Sequence, residues 1–278
     1  MTTAQAAENE ILLTSTDRAA SDWDELLRLQ TEMFLPVELE FFFSNSSWAR
    51  AGSVLDVGCG NGSYLSTLQP FFPQKTYVGI DVSDELVRLA EARASGDGMT
   101  FEQADFFSYR SEEPFDAILM RLIVQHLSGF DSLLEQASLL LRPGGALYVI
   151  EPDIENSRTF PRTPVFDRVV RDFEKHRELS DKNRKRLGEL AGVVARNPDW
   201  RLSRELRLSV PTVGPFAETS HLRMMQLWID LMERSGCLSL FDAARDELAC
   251  WSENPASFCQ VGIRILQLKH VDAQHQIH

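Results

Sequence analysis

The sequence predicts an α/β fold in which a mostly parallel sheet carries helices on both faces. Between residues 48 and 153, short apolar runs alternate with helical patterns, and short turns separate them. Parallel neighbours in a sheet need a crossover, usually a helix, so this alternation indicates a doubly wound sheet. The strands predicted in this region are residues 54–57, 76–80, 99–103, 115–120 and 146–150.

Helical patterns connect these strands. Residues 62–68 open a helix after the first strand, and residues 84–94 form the next one, with Ser83 as its N-cap. A third helix over residues 133–141 is expected to stop at Arg142-Pro-Gly-Gly145, because this sequence combines two strong helix breakers.

Helical patterns also precede the first strand. Apolar residues recur at three- and four-residue steps from Asp17, and Pro36 is expected to end that helix and to begin a second one. Residues 17–47 are therefore expected to form a helical cap over the site. Residues 1–16 are polar and irregular, which predicts a flexible arm.

The alternation changes after Pro152. No linker marks an independent domain, so residues 154–278 are interpreted as the completion of a seven-stranded sheet with helical insertions that bind substrate. Helices are expected within residues 163–196 and 217–250, and strands at residues 201–210 and 261–269.

Composition is that of a globular protein. Of 278 residues, 44% are apolar and 25% are charged, and no apolar run approaches the roughly 20 residues of a membrane span. The first ten residues have neither the basic segment nor the apolar core of a secretory signal, so a cytoplasmic location is expected. The four cysteines lack Cys-x-x-Cys spacing, so neither a disulfide framework nor a metal site is expected.

The net charge restricts the partners. At −13, with a pI near 4.9, the chain would repel nucleic acid, so DNA is excluded as a partner and RNA is disfavoured. Residues 158–207 contain 14 Lys and Arg against 8 Asp and Glu. These bases alternate with acids, which favours a solvated helical face, and binding of RNA or of an acidic protein is the alternative.

The most informative motif is Val54-Leu-Asp-Val-Gly-Cys-Gly-Asn-Gly62, followed after the next apolar run by Asp81. Three alternating glycines let a backbone turn tightly and approach a ligand closely. A carboxylate at the end of the second strand can accept hydrogen bonds from both ribose hydroxyls. The two features together predict an adenosine-containing cofactor.

With these elements in order, the chain resembles the class I S-adenosylmethionine-dependent methyltransferases, which have a Rossmann-like fold. The matching landmarks lie within residues 54–153, and their order and spacing carry the resemblance. Besides the glycine motif they are Gly79-Ile-Asp81, Gln103-Ala-Asp-Phe106, Phe115-Asp-Ala-Ile118, Gln125-His126-Leu127 and Leu141-Arg-Pro-Gly-Gly-Ala-Leu147.

A nicotinamide or flavin enzyme is the alternative interpretation. Its fingerprint, Gly-x-Gly-x-x-Gly, uses the third glycine for close packing of helix on strand beneath a pyrophosphate. In this chain Ser63 occupies the position of that third glycine. Adenosylmethionine has no phosphate, so the methyltransferase interpretation is preferred, with adenosylhomocysteine as the product.

The resemblance implies the cofactor-binding residues. Asp81 would hold the ribose hydroxyls, and Val82 would contact the adenine. Asp105 and Phe106 would recognise the adenine. The alternative is that Asp105 is a turn residue and Phe106 belongs to the core. The full predicted set is Asp56, Gly58, Cys59, Gly60, Gly62, Asp81, Val82, Asp105, Phe106 and Arg121.

Four of the candidate residues have both a functional and a structural interpretation. His126 is a candidate general base, because histidine titrates near neutrality, or it packs locally. Glu151 could orient an acceptor or end its strand in solvent. Arg121 could face cofactor or substrate, or it could pair with a structural acid. Cys59 is interpreted as a small residue in a crowded loop rather than a nucleophile, because no base is placed near it in sequence.

The implied reaction is an in-line displacement of methyl from a sulfonium by an O or N nucleophile. The segment Met120-Arg-Leu-Ile123 lacks the Asn-Pro-Pro-Tyr type of motif found in enzymes that methylate amino groups of DNA and of glutamine. A small organic acceptor is therefore expected, and a homodimer is left open. The alternatives are an enzyme that methylates RNA or protein, and a non-catalytic adenosylmethionine-binding protein that acts through a partner.

Overall fold

The computed structural model of the protein describes residues 17–94, 97–127, 129–176, 182–213 and 219–271. The strands are β1 (Ser53–Val57), β2 (Thr76–Asp81), β3 (Met99–Gln103), β4 (Phe115–Arg121), β5 (Leu141–Phe160), β6 (Trp200–Val213) and β7 (Phe258–His270). The helices are α1 (Asp17–Phe43), α2 (Ser46–Arg50), α3 (Ser63–Leu68), α4 (Asp84–Arg93), α5 (Phe130–Leu140), α6 (Pro164–His176), α7 (Lys182–Arg196), α8 (Ser220–Arg234) and α9 (Phe241–Glu253). The predicted arm, residues 1–16, lies outside the described residues.

The seven strands form one sheet in the order β3-β2-β1-β4-β5-β7-β6. The pairs β1–β2, β1–β4, β2–β3 and β4–β5 are parallel, so the predicted α/β class is confirmed. Strand β1 is central: Asp56 lies beside Gly79 of β2 and Leu119 of β4. Side chains that follow these strands therefore meet at one edge of the sheet.

The chain divides into two compact units. The sheet-centred unit comprises residues 35–153, 185–208 and the described residues from 263 onward, and it contains every predicted cofactor residue. Its core includes the fully buried Leu55, Ile118, Leu133 and Leu147, which come from strands β1, β4 and β5 and from helix α5.

Helix α1 is continuous from Asp17 to Phe43, so the prediction that Pro36 divides it into two helices was wrong. Proline removes one backbone hydrogen bond from a helix interior, and burial of its neighbours can offset that loss. Leu35 is 3% exposed, and Phe41 and Phe42 are fully buried. Packing at these positions accounts for a helix that sequence propensity alone would interrupt.

An aromatic cluster holds the end of α1 against the sheet. The ring of Phe41 lies edge-on to Tyr148 of β5 at 6.1 Å, and Phe42 packs against Trp48 of α2 at 4.2 Å. Aromatic side chains bury large areas, and edge-to-face pairs add to that stabilisation. This half of α1 is therefore fixed beside the strands, which matters because it carries Glu38.

Strand β5 differs from the predicted strand at both ends. The sequence predicted residues 146–150, whereas β5 begins at Leu141 and runs to Phe160. The register moves from Phe115 opposite Leu141 to Ala117 opposite Ala146, so the breaker Arg142-Pro-Gly-Gly145 forms an irregularity within the strand. A bulge lets the strand accommodate a proline and two glycines without ending.

The second unit comprises the described residues within 1–34, 154–184 and 209–262. Helices α6, α8 and α9 enclose their own apolar core here, which includes Val169, Met225, Ile229, Met232 and Leu248. The two methionines fill a core rather than line an open surface.

None of the described helices is long and apolar enough to span a membrane. Within the same described residues, no group of three or more His, Cys, Asp or Glu side chains is arranged to hold a metal ion.

Candidate cofactor site

The glycine motif forms a tight loop between β1 and α3. Gly58, Gly60 and Gly62 all have positive φ angles, of 71°, 56° and 71°, in the left-handed region that glycine adopts without strain. The N–H groups of Gly58 and Cys59 donate to the carbonyl of Ile80 in β2, at 2.8 and 3.0 Å. The loop is therefore folded back onto the neighbouring strand, with its backbone at the edge of the sheet.

Asp81 fixes this loop from the end of β2. Its Oδ2 accepts the N–H of Gly60, and its Oδ1 accepts the N–H of Ser83, each at 2.9 Å. Burial raises the pKa of Asp81, and the backbone N–H groups of Ser83 and Gly60 act in the opposite direction. Each carboxylate oxygen keeps a second lone pair, so the side chain can still accept from ligand hydroxyls.

Two glycines near this loop are required by packing. A Cβ added at Gly62 would lie 2.7 Å from Cβ and 2.9 Å from Cα of Ala90 in α4. A Cβ added at Gly79 would lie 2.5 Å from the Phe101 ring and 2.9 Å from Cβ of Cys59. The missing side chains therefore let α4 and β3 approach the loop closely.

A buried ion pair lies beside the loop. Nε of Arg121, at the end of β4, donates to Oε1 and Oε2 of Glu38 in α1, at 3.0 and 3.3 Å. The two side chains are 7% and 0% exposed. The Arg121 guanidinium also lies 4.3 Å from the ring centre of Tyr64. Two roles were left open for Arg121, and the structure shows the second of them: Arg121 pairs with an acid, Glu38.

We predict strong coupling between Glu38 and Arg121. Removing one partner of a buried pair leaves an unpaired charge, which costs about 3–5 kcal/mol, so Glu38→Gln and Arg121→Met should each lower the free energy of unfolding by that amount. The double variant should lose much less than the sum. Urea unfolding of all four proteins measures this coupling.

The exposed pair Arg88–Asp84 is the matched control, with side chains 67% and 59% exposed. Its coupling should stay below about 1 kcal/mol. Equal coupling energies for the two pairs would contradict the assignment of Glu38 and Arg121 as a buried pair that depends on both partners.

Asp56 lies near the Glu38–Arg121 pair, one residue before the end of β1. It is 3% exposed, and burial raises its pKa to about 8. The Arg121 charge lowers the pKa of Asp56, whereas the charges of Asp81 and Glu38 raise it. An aspartic acid with this pKa is largely protonated at neutral pH.

Glu151 anchors the turn that follows β4. It is 4% exposed, and its Oε1 accepts the N–H of Val124 at 2.6 Å. Burial raises the pKa of Glu151 to about 8, and the N–H groups of Val124, Gln125 and Ile123 act in the opposite direction. The carboxyl group is therefore engaged with this turn. Of the two roles left open for Glu151, a solvated strand end does not fit the structure, because Glu151 is buried within β5.

Backbone strain marks the start of the same turn. Leu122 has a φ of 58°, and no other non-glycine residue in the described part of the chain has a positive φ. Its N–H donates to the carbonyl of Ile150 at 2.8 Å, which holds it at the sheet edge. Such strain persists only where surrounding contacts fix it, and it clusters at functional sites.

His126 ends the short 3₁₀ turn of residues 124–126. Its side chain is partly exposed, and its backbone N–H donates to the carbonyl of Ile123 at 2.8 Å. The turn that Glu151 anchors therefore also carries His126.

The predicted adenine residues differ in exposure. Oδ1 of Asp105 accepts the N–H of Phe107 at 3.1 Å, which forms a turn and leaves Oδ2 as a further acceptor. Phe106 is 4% exposed and belongs to the sheet core. Val82 is 37% exposed. Of the two apolar candidates, Val82 therefore offers surface to a ligand, and Phe106 is the core phenylalanine of the alternative interpretation.

Cys59 is unsuited to nucleophilic chemistry. It is 6% exposed, and burial raises the pKa of its thiol well above the usual value, with the charges of Asp56 and Asp81 adding to the shift. The thiolate is the reactive form, so this cysteine stays protonated and inert. Its Cβ packs where Gly79 leaves room.

Sequence reasoning missed Glu38 and Tyr64. The signal for Glu38 was present: it lies at helical spacing from the buried Phe34, Leu35, Phe41 and Phe42, so an acid stands on the apolar face of α1. Such a residue is almost never fully buried unless it is paired. The sequence could not indicate the partner, because Arg121 is remote along the chain.

Comparison with known families agrees with this geometry. The family model described as "Methyltransferase domain" matches residues 49–199, more than half of the chain. The fold and the glycine loop thus define a Rossmann-like methyltransferase domain. The chain belongs to the S-adenosylmethionine-dependent methyltransferases, which confirms the predicted class and its cofactor.

Among its relatives is the trans-aconitate 2-methyltransferase of Methylobacterium nodulans, 34% identical over 135 residues, or 48% of this chain and 51% of the relative. The chain thus spans about half the length of the curated relatives it matches.

Solved structures show the same fold. YcgJ from Bacillus subtilis aligns over 86% of this chain and 98% of its own, with 18% identity and a TM-score of 0.51. The plantazolicin methyltransferase BpumL aligns over 96% of both chains, with 16% identity and a TM-score of 0.50.

Proposed function

We propose that the protein transfers a methyl group from S-adenosylmethionine to an O or N nucleophile of a small organic acceptor. One observation carries this proposal: a three-glycine loop is hydrogen-bonded through Gly60 to Asp81 at the edge of the parallel sheet. A ligand bound there would contact the glycine backbone directly. It would also contact the Asp81 carboxylate, whose oxygens can each accept a further hydrogen bond. Both features suit an adenosine ligand without phosphates.

The residues of the site fit the parts of this cofactor. Asp81 would accept the ribose hydroxyls, and Oδ2 of Asp105 would accept the exocyclic amine of the adenine. Val82 would pack against the adenine ring. The buried Asp56 would accept from the ammonium group, beside the Glu38–Arg121 pair.

The bound cofactor supplies an activated methyl group on a positively charged sulfur. The protein then has to bind the acceptor, orient it and exclude water, and positioning alone can supply up to about 7–11 kcal/mol of a barrier. We assign His126 as the candidate base for acceptors that arrive protonated. Glu151 acts on that step indirectly, because its carboxyl group holds the turn that carries His126.

The acceptor class is proposed from the relatives. Several of them are named for trans-aconitate, a small carboxylic acid. A carboxylate is ionised at neutral pH and can act as a nucleophile without a base. Small acids are therefore the first acceptors to test. The assignment of residues 48–153 to the cofactor, and of helical segments after Pro152 to the acceptor, stays a prediction.

Two measurements test this function. Calorimetric titration should detect binding of adenosylmethionine and adenosylhomocysteine and no binding of NADH. Incubation with methyl-labelled adenosylmethionine and a panel of carboxylic acids, phenols and amines should then transfer label to one acceptor class. Preference for NADH would contradict the proposed cofactor, and failure to label any acceptor would favour a non-catalytic binding protein.

A further inference from the structure

The turn of residues 122–126 contacts the glycine loop through the side chain of Ile123. A Cβ added at Gly58 would lie 2.7 Å from Cγ1 and 2.8 Å from Cδ1 of Ile123. Ile123 therefore occupies the space that a side chain at residue 58 would fill. It is partly buried and also packs against the core of the sheet. The first glycine of the motif is thus required for contact with this turn, whatever it contributes to ligand binding.

Glu151 holds the same turn from the neighbouring strand. Its Oε1 accepts the N–H of Val124 at 2.6 Å, and the N–H groups of Gln125 and Ile123 act on the same carboxyl group. Glu151 is 4% exposed, and a buried N–H without an acceptor is costly, so the turn cannot leave this carboxyl group without a penalty. Glu151 and the glycine loop therefore both restrain the turn.

The backbone of the turn leaves little freedom between these contacts. Leu122 is held at a φ of 58°, and its N–H donates to the carbonyl of Ile150 at 2.8 Å. The N–H of His126 donates to the carbonyl of Ile123, also at 2.8 Å. The backbone of the candidate base is thus bonded to the residue whose side chain contacts the cofactor loop.

We propose that Ile123 and Glu151 are positioning residues, which hold His126 at a fixed place relative to the cofactor loop. This inference rests on the proposed function, in which His126 is the base. Neither residue touches the reacting atoms in this role: Ile123 transmits the position of the loop, and Glu151 keeps the turn against it. Cofactor binding at the loop should therefore order the turn as well.

Amide hydrogen exchange with and without adenosylhomocysteine tests this contact and requires no methyl transfer. In the wild-type protein, the ligand should slow exchange in the glycine loop and also at Val124 and Gln125, by roughly tenfold. In Ile123→Ala, the slowing should persist in the loop and disappear from the turn. Slowing confined to the loop of the wild type would overturn this inference and leave the proposed function intact. Absence of adenosylhomocysteine binding would overturn both.

Kinetics with the labelled acceptor test whether the contact acts through His126. Ile123→Ala and Glu151→Gln should each lower kcat by roughly 10- to 100-fold, because a displacement of about 1 Å can cost about 100-fold. In a His126→Asn background they should have little further effect, since residues that act as a unit are not additive. Leu133→Ala, which truncates a fully buried side chain of α5, controls for lost stability and should keep kcat. An unchanged kcat in Ile123→Ala, or equal losses with and without His126, would overturn the proposal.

An exchange of side chains between the two contact positions supplies a rescue. Gly58→Ala alone should push the turn away and lower kcat. Adding Ile123→Ala removes Cγ1 and Cδ1 and leaves Cβ, 3.2 Å from the new methyl group, so the double variant should regain roughly tenfold in kcat over Gly58→Ala. A double variant no more active than Gly58→Ala would overturn the proposal. Both variants keep Glu151, so this test decides the question even if Glu151→Gln fails to fold.

Discussion

Replacing Asp81 by alanine is expected to lower the affinity for adenosylmethionine by at least roughly 100-fold. Two ribose hydroxyls would lose a charged acceptor, and hydrogen bonds to charged groups contribute about 1.5–3 kcal/mol each. The same change removes the carboxylate that accepts the N–H groups of Gly60 and Ser83. The glycine loop would then lose its link to β2 as well as the ligand contact.

The variant Asp81→Asn keeps the size and shape of the side chain and removes its negative charge. Asparagine has one acceptor oxygen, and its NH₂ group would face one of the two backbone N–H donors. Its affinity should therefore fall nearly as far as that of the alanine variant. Calorimetry with adenosylmethionine measures both variants, with Glu91→Gln as the exposed control. Binding by Asp81→Ala within about fivefold of wild type would contradict the role of Asp81.

The sequence was a good guide to the elements that position the cofactor. Strand β3 matches the predicted residues 99–103, and Ser83 caps α4 by accepting the N–H of Leu86. Hydrophobic periodicity and capping residues are local signals, so they can be read without knowledge of the fold. The carboxyl ends of β1 and β2 followed from the same patterns.

Features that depend on distant residues could not be predicted in this way. Helix α1 continues through Pro36 because burial outweighs a local penalty. The pairing of Glu38 with Arg121 joins elements that are far apart in the chain. Residues that follow different strands also differ in depth: Val82 is exposed and Phe106 is buried, although both were assigned to the adenine.

The role of Glu151 illustrates the same limit. Its position just after a strand indicated a carboxylate at the functional edge. Its partners are the backbone N–H groups of the turn that follows β4, and no sequence pattern identifies such donors. The strain at Leu122 is likewise a property of the folded chain.

Gly62→Ala is expected to destabilise the fold by about 3–4 kcal/mol. Alanine in the left-handed conformation costs about 1–2 kcal/mol, and overpacking a close contact adds about 1–3 kcal/mol. The new Cβ would lie 2.9 Å from Cα of Ala90, which is helix backbone and cannot move without shifting α4. A shift of α4 would also move the glycine loop away from Asp81. The affinity for the cofactor should therefore fall together with the stability of the fold.

Gly144→Ala is the matched control for the backbone conformation. Gly144 has a φ of 76°, and a Cβ there would meet nothing within 4 Å, so this variant should lose only the conformational cost of about 1–2 kcal/mol. Urea unfolding of both variants measures the difference. Ala90→Gly in the Gly62→Ala background should cost less than it does alone, because it removes the contact at 2.7 Å. Equal destabilisation by Gly62→Ala and Gly144→Ala would mean that α4 can yield, and the close approach of α4 to the loop would then not require a glycine.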